Sequence, residues 1–182
     1  MKEIEIKIIE INKKEIEKKL KKIGAKKVFE GVLEGYAFDF PDERIKKAKN
    51  LLRLRKVGEK SYLTYKENKN KTCKAKICEE TEFEIMDFEK MIKVLNLLGL
   101  GAKGTISKHR TTYSIGKTHF EIEEPIKTQS FIPPFLEIEA PSVKVAYKYA
   151  KELGFGEKSC LNWTGWDIAR YYSKGKKPKK SF

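Results

Sequence analysis

Residues 1–11 read MKEIEIKIIEI, and Glu3, Glu5 and Lys7 alternate there with Ile4, Ile6 and Ile8. A period of two belongs to a β-strand whose two faces differ. The isoleucines mark the core-facing side. The charged side faces either bulk water, as in an ordinary edge strand, or an enclosed cavity. In a cavity two carboxylates and an ammonium lose their hydration, a cost that a metal or an ionic ligand must offset. The remaining strands decide between the two.

Immediately downstream, Asn12 and Glu15 form a capping pair that opens a basic helix, KKEIEKKLKKIG, stopped at Gly24. Ile16, Leu20 and Ile23 give it one apolar stripe. Glu15, Glu17 and Lys19 repeat the E-x-E-x-K spacing of the first strand, yet residues two apart on a helix point in different directions, so this copy forms no site. Extended segments over about 25–40, 51–57, 60–67 and 74–86 follow, separated by turn signals such as FPDER and KVGEK. A helix is expected at about 88–98, between an Asp87 N-cap and a Gly99 stop. Two strands joined at SIGK span about 103–124, and FLEIEA is the last clear strand. Ser142 caps a further helix through Leu153, and NWTGWDIARYY reads as a short terminal helix. Strands linked by hairpins predict an α+β protein with a mainly antiparallel sheet able to close into a barrel.

Charged residues recur two apart inside these strands. Arg53 and Arg55 share one face of LLRLRK, and Lys66 falls in phase with Tyr62 and Thr64. Lys108 pairs with Arg110, Glu121 with Glu123, and Glu137 with Glu139. Taken singly, each pair reads as the solvent face of an antiparallel strand. Taken together with the strands curled inward, they enclose an acidic group (Glu3, Glu5, Glu123, Glu137, Glu139) and a basic group (Lys7, Arg53, Arg55, Lys66, Lys108, Arg110). A ligand both anionic and metal-binding satisfies both groups. Carboxylates suit hard cations such as Mg²⁺ or Mn²⁺, and the guanidinium fork suits phosphate oxygens. Phosphoryl or nucleotidyl transfer on a triphosphate is the chemistry that fits.

Forty Lys and Arg against 26 Asp and Glu leave a formal charge of +14 in 182 residues, which points to a polyanionic partner or substrate. Part of the excess sits in residues 174–182, expected to be a solvated, disordered basic tail after a single domain over 1–173. No apolar run approaches the ~18 residues of a membrane span, and a signal-peptide core is missing, so a cytoplasmic protein without membrane partners is expected. Cys73, Cys78 and Cys160, with His109 and His119, do not fall at zinc-site spacings and read as free thiols.

In order along the chain, EIEIK, YAFDFPD, LRLRK, TYKE, ETEFEI, SKHRTTY, FEIEE and FLEIEA resemble the motifs of the CYTH superfamily, the class IV adenylyl cyclases and thiamine triphosphatases also called triphosphate tunnel metalloenzymes. The resemblance implies an eight-stranded antiparallel β-barrel whose tunnel binds a triphosphate, with helices packed outside. Position by position it implies that Glu3, Glu5, Glu137 and Glu139 bind divalent metal, with Glu123 standing where an aspartate is usual. Lys7, Arg53, Arg55, Lys66, Lys108 and Arg110 then grip phosphates, with Glu3, Glu5 and Lys7 at the reaction centre. EKSCLN resembles the family's K-S-Y segment and makes Lys158 a further catalytic candidate. Glu82 is a candidate metal contact, and a homodimer is compatible with the resemblance. Three departures stand out: a longer connection between Glu123 and Glu137, Cys160 in place of a tyrosine, and the aromatic end with Trp163 and Trp166, which are read as core packing or as a surface on which a base stacks.

The same site serves two reactions. With water as nucleophile it is a triphosphatase acting on tripolyphosphate, thiamine triphosphate or a nucleotide; with the ribose 3′-hydroxyl of ATP it is an adenylyl cyclase releasing pyrophosphate. Triphosphate hydrolysis is the first reading because every assignable residue recognises phosphate or metal. A third reading is a non-catalytic binder of polyphosphate or RNA, whose binding would weaken steeply with salt.

Overall fold

The protein is described here by a computed structural model covering residues 2–69 and 74–173. The expected tail at 174–182 and Cys73 lie outside the described residues. Eight strands form one closed antiparallel barrel: β1 (Lys2–Ile9), β2 (Lys26–Asp39), β3 (Leu51–Val57), β4 (Lys60–Asn68), β5 (Lys76–Ile85), β6 (Gly101–Ile115), β7 (Thr118–Pro125) and β8 (Phe135–Glu139). Around the barrel the order is β1-β5-β4-β3-β2-β6-β7-β8, and β8 returns to β1. β1 pairs with β5 only as far as Glu5↔Lys76. Past that point the Lys7 backbone exchanges two hydrogen bonds of 2.8 Å with Leu161, so a C-terminal segment completes the seam.

Alternation puts charge inside the barrel and the apolar core outside it. Ile4, Ile6 and Ile8 of β1, Phe120 and Ile122 of β7, and Leu136 and Ile138 of β8 pack outward with Ile16 and Leu20 of α1 (Lys13–Lys22) and Ala146 and Ala150 of α4 (Val143–Glu152). A second outer layer joins Phe38, Leu54 and Ile85 to Phe88 and Leu95 of α3 (Phe88–Leu97). Each fully buried aliphatic side chain of this kind contributes roughly 1.5–3 kcal/mol, so the shell rather than the lumen holds the fold. The three helices begin at the expected caps: Asn12 accepts from the Glu15 amide, Asp87 from Lys90 and Ser142 from Val145. Gly24 and Gly99 follow α1 and α3 at φ +85°, the left-handed region where a side chain is strained.

Two features depart from the sequence expectation. The FPDER turn contains one helical turn, α2 (Arg44–Lys47), gathered around Asp39, which is 3% exposed. The Asp39 carboxylate accepts from the amides of Phe40 (2.7 Å), Ile45 (3.0 Å) and Lys46 (2.8 Å). The connection between β7 and β8 makes a 3-10 turn at Lys127–Gln129 and then drives Ile132 into a third apolar cluster with Phe135, Ile9, Trp163 and Ile168. Ile168 belongs to the terminal helix α5 (Gly165–Ser173), opened by a reciprocal cap between Thr164 and Asp167. Ile9 ends β1 and Phe135 begins β8, so this cluster sits over one end of the barrel. Among the described residues no helix is long and apolar enough to cross a membrane.

Candidate active site in the barrel lumen

A cavity of about 1030 Å³ runs through the barrel, lined on β1 by Glu3, Glu5 and Lys7, on β3 by Arg53 and Arg55, and on β4 by Lys66. β5 adds Lys76, Cys78, Glu80 and Glu82; β6 adds Lys108 and Arg110; β7 adds Glu121; and β8 adds Glu137 and Glu139. Glu123 stands behind this surface with 0% exposure. Glu123 apart, the charged residues noted in the strands therefore line the lumen, for the reason their alternate neighbours face the shell: the barrel wall has one greasy side, and helices cover it.

Most of these charges pair with one another across the lumen. Lys66 donates to Glu3 at 2.7 Å and lies 3.1 Å from Glu80. Glu5 accepts from Lys7 and, at 2.8 Å, from Lys76, while Lys7 also lies 3.2 Å from Glu137. Arg110 spans Glu121 and Glu123, and Lys108 donates to Glu123 at 2.7 Å. Arg55 meets Glu82 at 3.0 Å.

Burial alone would raise the Glu5 carboxyl, yet Lys7, Lys76 and Lys66 hold it well below its ordinary value. Glu137 is buried too, and Lys7 leads the cations that bring it down to about 2. Two other carboxyls go the opposite way. Burial takes Glu121 up to about 7 against the pull of Arg110, and burial with Glu3 and Glu121 nearby takes Glu139 to about 7. Burial, with Arg55 and Arg110 close by, lowers Arg53 to about 10. Lysine 108 is also lowered by burial, despite Glu123.

Some polar atoms remain without partners. The Nε atoms of Arg53, Arg55 and Arg110 and Oε2 of Glu123 are buried and make no hydrogen bond among the described residues. One carboxylate oxygen each from Glu121, Glu123 and Glu137 lies within 4.8 Å of the others, a spacing suited to a shared cation. Of the expected metal ligands, Glu123 and Glu137 belong to this group, while Glu3, Glu5 and Glu139 line the cavity beside it. Glu121 completes the cluster; its phase with Glu123 was visible in the sequence, but its place in the acidic group was not. Lys76 was also missed, although Lys76, Cys78, Glu80 and Glu82 alternate in register with it. Lys158 is exposed on a 3-10 turn at Glu157–Ser159 and does not line the cavity. The two tryptophans divide: Trp163 packs in the apolar cluster 5.1 Å from the Tyr171 ring, and Trp166 faces the cavity.

The cavity's two ends differ. One is flanked by Tyr62, Glu82 and Glu84, and Glu82 and Glu84 are exposed. The other is lined by α5, by Gln129 and Ile132 of the long connection, and by Lys46, Lys47 and Lys49 at and beyond α2.

The CYTH domain profile matches residues 1–144. Among solved structures, a protein of Pyrococcus horikoshii OT3 is 29% identical, with a TM-score of 0.77 over 91% of this chain and 98% of its own. A candidate adenylate cyclase of Vibrio parahaemolyticus is 17% identical, with a TM-score of 0.76 over 92% and 97%. A Hippeastrum protein, described as an adenylyl cyclase candidate with a dominant triphosphatase activity, is 14% identical, with a TM-score of 0.64 over 97% of each chain. At these last two identities the likeness is one of fold. No curated protein matches the chain.

Proposed function

The chain belongs to the CYTH domain family, and from that premise we propose that it is a divalent-metal-dependent enzyme that hydrolyses tripolyphosphate or an organic triphosphate, such as thiamine triphosphate or a nucleotide, inside the barrel. The observation that carries this proposal is the lining of one cavity by Arg53, Arg55 and Arg110, by Lys7, Lys66, Lys76 and Lys108, and by carboxylates that include Glu121 and Glu137. Holding so many like-signed cations together out of bulk water costs free energy that a polyanion offsets. A polyphosphate supplies acceptors for the cations, and a divalent cation suits the Glu121, Glu123 and Glu137 oxygens.

Arg53, Arg55 and Arg110 offer planar forks to phosphate oxygens, and Lys7, Lys66, Lys76 and Lys108 add point charges around them. Glu121, Glu123 and Glu137 present only carboxylate oxygens, the donor set for Mg²⁺ or Mn²⁺, while Glu3, Glu5 and Glu139 line the same cavity beside them. When bound, such an ion polarises phosphoryl oxygens and offsets the charge that develops on them. The chain's own residues align the phosphate chain for in-line attack. Glu121 and Glu139 are both raised to about 7, and Glu139, which stands outside the Glu121–Glu123–Glu137 cluster, is the one left to take a proton from the attacking water. Lys158 has no part in this arrangement.

Adenylyl cyclase activity is the second reading, favoured by the room beside Trp166, which would admit a nucleoside. One assay separates them: purified protein with Mg²⁺ or Mn²⁺ is offered tripolyphosphate, thiamine triphosphate and ATP, and phosphate, pyrophosphate and cyclic AMP are resolved by chromatography. Phosphate without cyclic AMP is the expected result. Cyclic AMP with matching pyrophosphate makes the protein a cyclase, and no product from any substrate overturns the enzymatic proposal in favour of a polyphosphate- or RNA-binding module.

A further inference from the structure

We propose that the outer face of α1 and α4 is a second binding surface, separate from the lumen, that docks on the phosphate backbone of double-helical nucleic acid without reading its sequence. The surface is independent of the triphosphate reading above.

Two helices far apart in the chain share one spacing. Lys14, Lys18 and Lys21 follow one another by four and three residues along α1, and Lys144, Lys148 and Lys151 do the same along α4. In each helix the inward residues come two, six and nine positions after the first lysine: Ile16, Leu20 and Ile23 on α1, Ala146, Ala150 and Leu153 on α4. At about 100° per residue the three lysines fall within roughly 60° of one another, on the side opposite those core residues. Both helices press their apolar side into the same outer cluster, and they adjoin where the Lys19 ammonium donates to the Leu153 carbonyl at 2.7 Å. All six lysines of the two rows are exposed.

Unlike the lumen cations, these are not matched by acids. Lys148 has Glu152 at 3.8 Å, and the other five make no ion pair among the described residues. Nine lysines stand against three glutamates on α1 and α4 together, whereas α3 carries two lysines and one glutamate and exposes Val94 and Leu97. The positive excess is therefore gathered on one side of the barrel and is not a uniform effect of a lysine-rich composition.

What the face lacks selects the partner. Neither α1 nor α4 exposes a large hydrophobic side chain. Without one, neither helix can insert an apolar side into a bilayer, and neither offers an aromatic platform on which unpaired bases stack. Tyr147 and Tyr149 are engaged elsewhere, the first donating to the Lys74 carbonyl at 2.7 Å and the second packing edge-on against Phe120. Ammonium groups alone suit a duplex, which keeps its bases inside and carries one negative charge per about 1.7 Å of axis. Neutralising those phosphates releases condensed counterions, which drives binding and makes it salt-dependent.

The test is fluorescence anisotropy of full-length protein with labelled DNA and RNA duplexes of mixed sequence, titrated at about 50 to 200 mM NaCl. At physiological salt at least one duplex is expected to bind with a dissociation constant of about 10⁻⁴–10⁻⁶ M. Replacing either row by glutamine, as Lys14→Gln, Lys18→Gln and Lys21→Gln or as Lys144→Gln, Lys148→Gln and Lys151→Gln, is expected to lower the slope of log K against log salt by about 3. A control triple, Lys90→Gln, Lys93→Gln and Lys103→Gln, removes the same charge and is expected to leave the slope within about 1 of wild type. Should a row variant fail to fold, the wild-type slope decides: at roughly 0.9 per phosphate contact it must reach at least about 4. The inference is overturned if neither duplex binds, if the control triple costs as much slope as the rows, or if a labelled single strand binds more tightly than both duplexes. It is also overturned if phosphatidylserine vesicles bind and the duplexes do not. Turnover of triphosphates bears on none of these outcomes, so the two proposals stand or fall separately.

Discussion

Glu5→Ala tests the charged lumen most directly. Glu5 is 3% exposed and accepts from both Lys7 and Lys76. Without it Lys7, itself 2% exposed, keeps only Glu137 at 3.2 Å, and Lys76 loses the carboxylate that most strongly favours its charge. Removing one partner of a buried ion pair costs about 3–5 kcal/mol, a large share of the ~5–15 kcal/mol stability of a domain. Glu5→Ala is therefore expected to lower the urea midpoint at pH 7.5 by an amount equivalent to about 3–5 kcal/mol. The loss leaves surplus positive charge, which an anion can neutralise. Tripolyphosphate in EDTA should then stabilise the variant by about 2.7 kcal/mol at a hundredfold excess over the variant's dissociation constant, and the wild type by less at the same concentration. Turnover with Mg²⁺ should collapse although tripolyphosphate still binds. A variant that stays within about 1 kcal/mol of wild type, gains nothing from the anion and keeps full activity would falsify the buried-lumen assignment.

Three further outcomes are expected. Glu121 and Glu139 have folded pKa values near 7, above the ~4.3 of an unfolded glutamate, so the metal-free fold binds extra protons between those values and loses stability as pH rises through 7. Glu5 and Glu137 are shifted down, so their contribution is present above about 4.3 and disappears as pH falls toward the Glu137 value of about 2; urea midpoints in EDTA should thus peak near the unfolded value of about 4.3, and Mg²⁺ should shift the peak upward. Gly35→Ala would put a Cβ 2.1 Å from the Leu54 carbonyl oxygen and 2.7 Å from Cα of Arg55; overpacking of about 1–3 kcal/mol and displacement of Arg55 should appear as a lower melting temperature and a higher KM. Asp39→Ala strips the acceptor from three backbone amides at α2, and a loss of roughly 1–3 kcal/mol should be accompanied by faster hydrogen exchange confined to about residues 40–47.

The barrel was legible because alternation survives translation into structure. On β1, β3, β6 and β8 the charged residues in phase do reach the lumen, and on β7 Glu121 does, with Glu123 buried behind it. The decoy on α1 fails as helical geometry requires: Glu15 and Lys19 are exposed, while Glu17 turns toward the Tyr113 hydroxyl. Partnerships were not legible, since they depend on register. That Lys76 stands opposite Glu5 follows from the β1–β5 pairing, which no spacing within either strand encodes. Nor could spacing tell that Glu121, not Glu139, completes the carboxylate cluster. α2 was hidden because its N-cap, Glu43, makes no side-chain cap and the carboxylate that accepts from its amides, Asp39, lies inside the preceding strand. Lys158 was assigned by motif alone, and the turn that carries it stays outside the tunnel.

A lumen whose cations are already matched to its own carboxylates resists partial occupancy. A polyanion arriving alone pulls Lys66 from Glu3 and Lys7 and Lys76 from Glu5, and strands those carboxylates. A divalent cation arriving alone does the same to Arg110 and Lys108 when it draws Glu123 away. Arriving together, the two replace both halves of the internal salt, so each raises the affinity of the other by the same factor. On the triphosphate reading, binding of the polyanion and of the divalent cation is thus heterotropically cooperative, each weaker without the other.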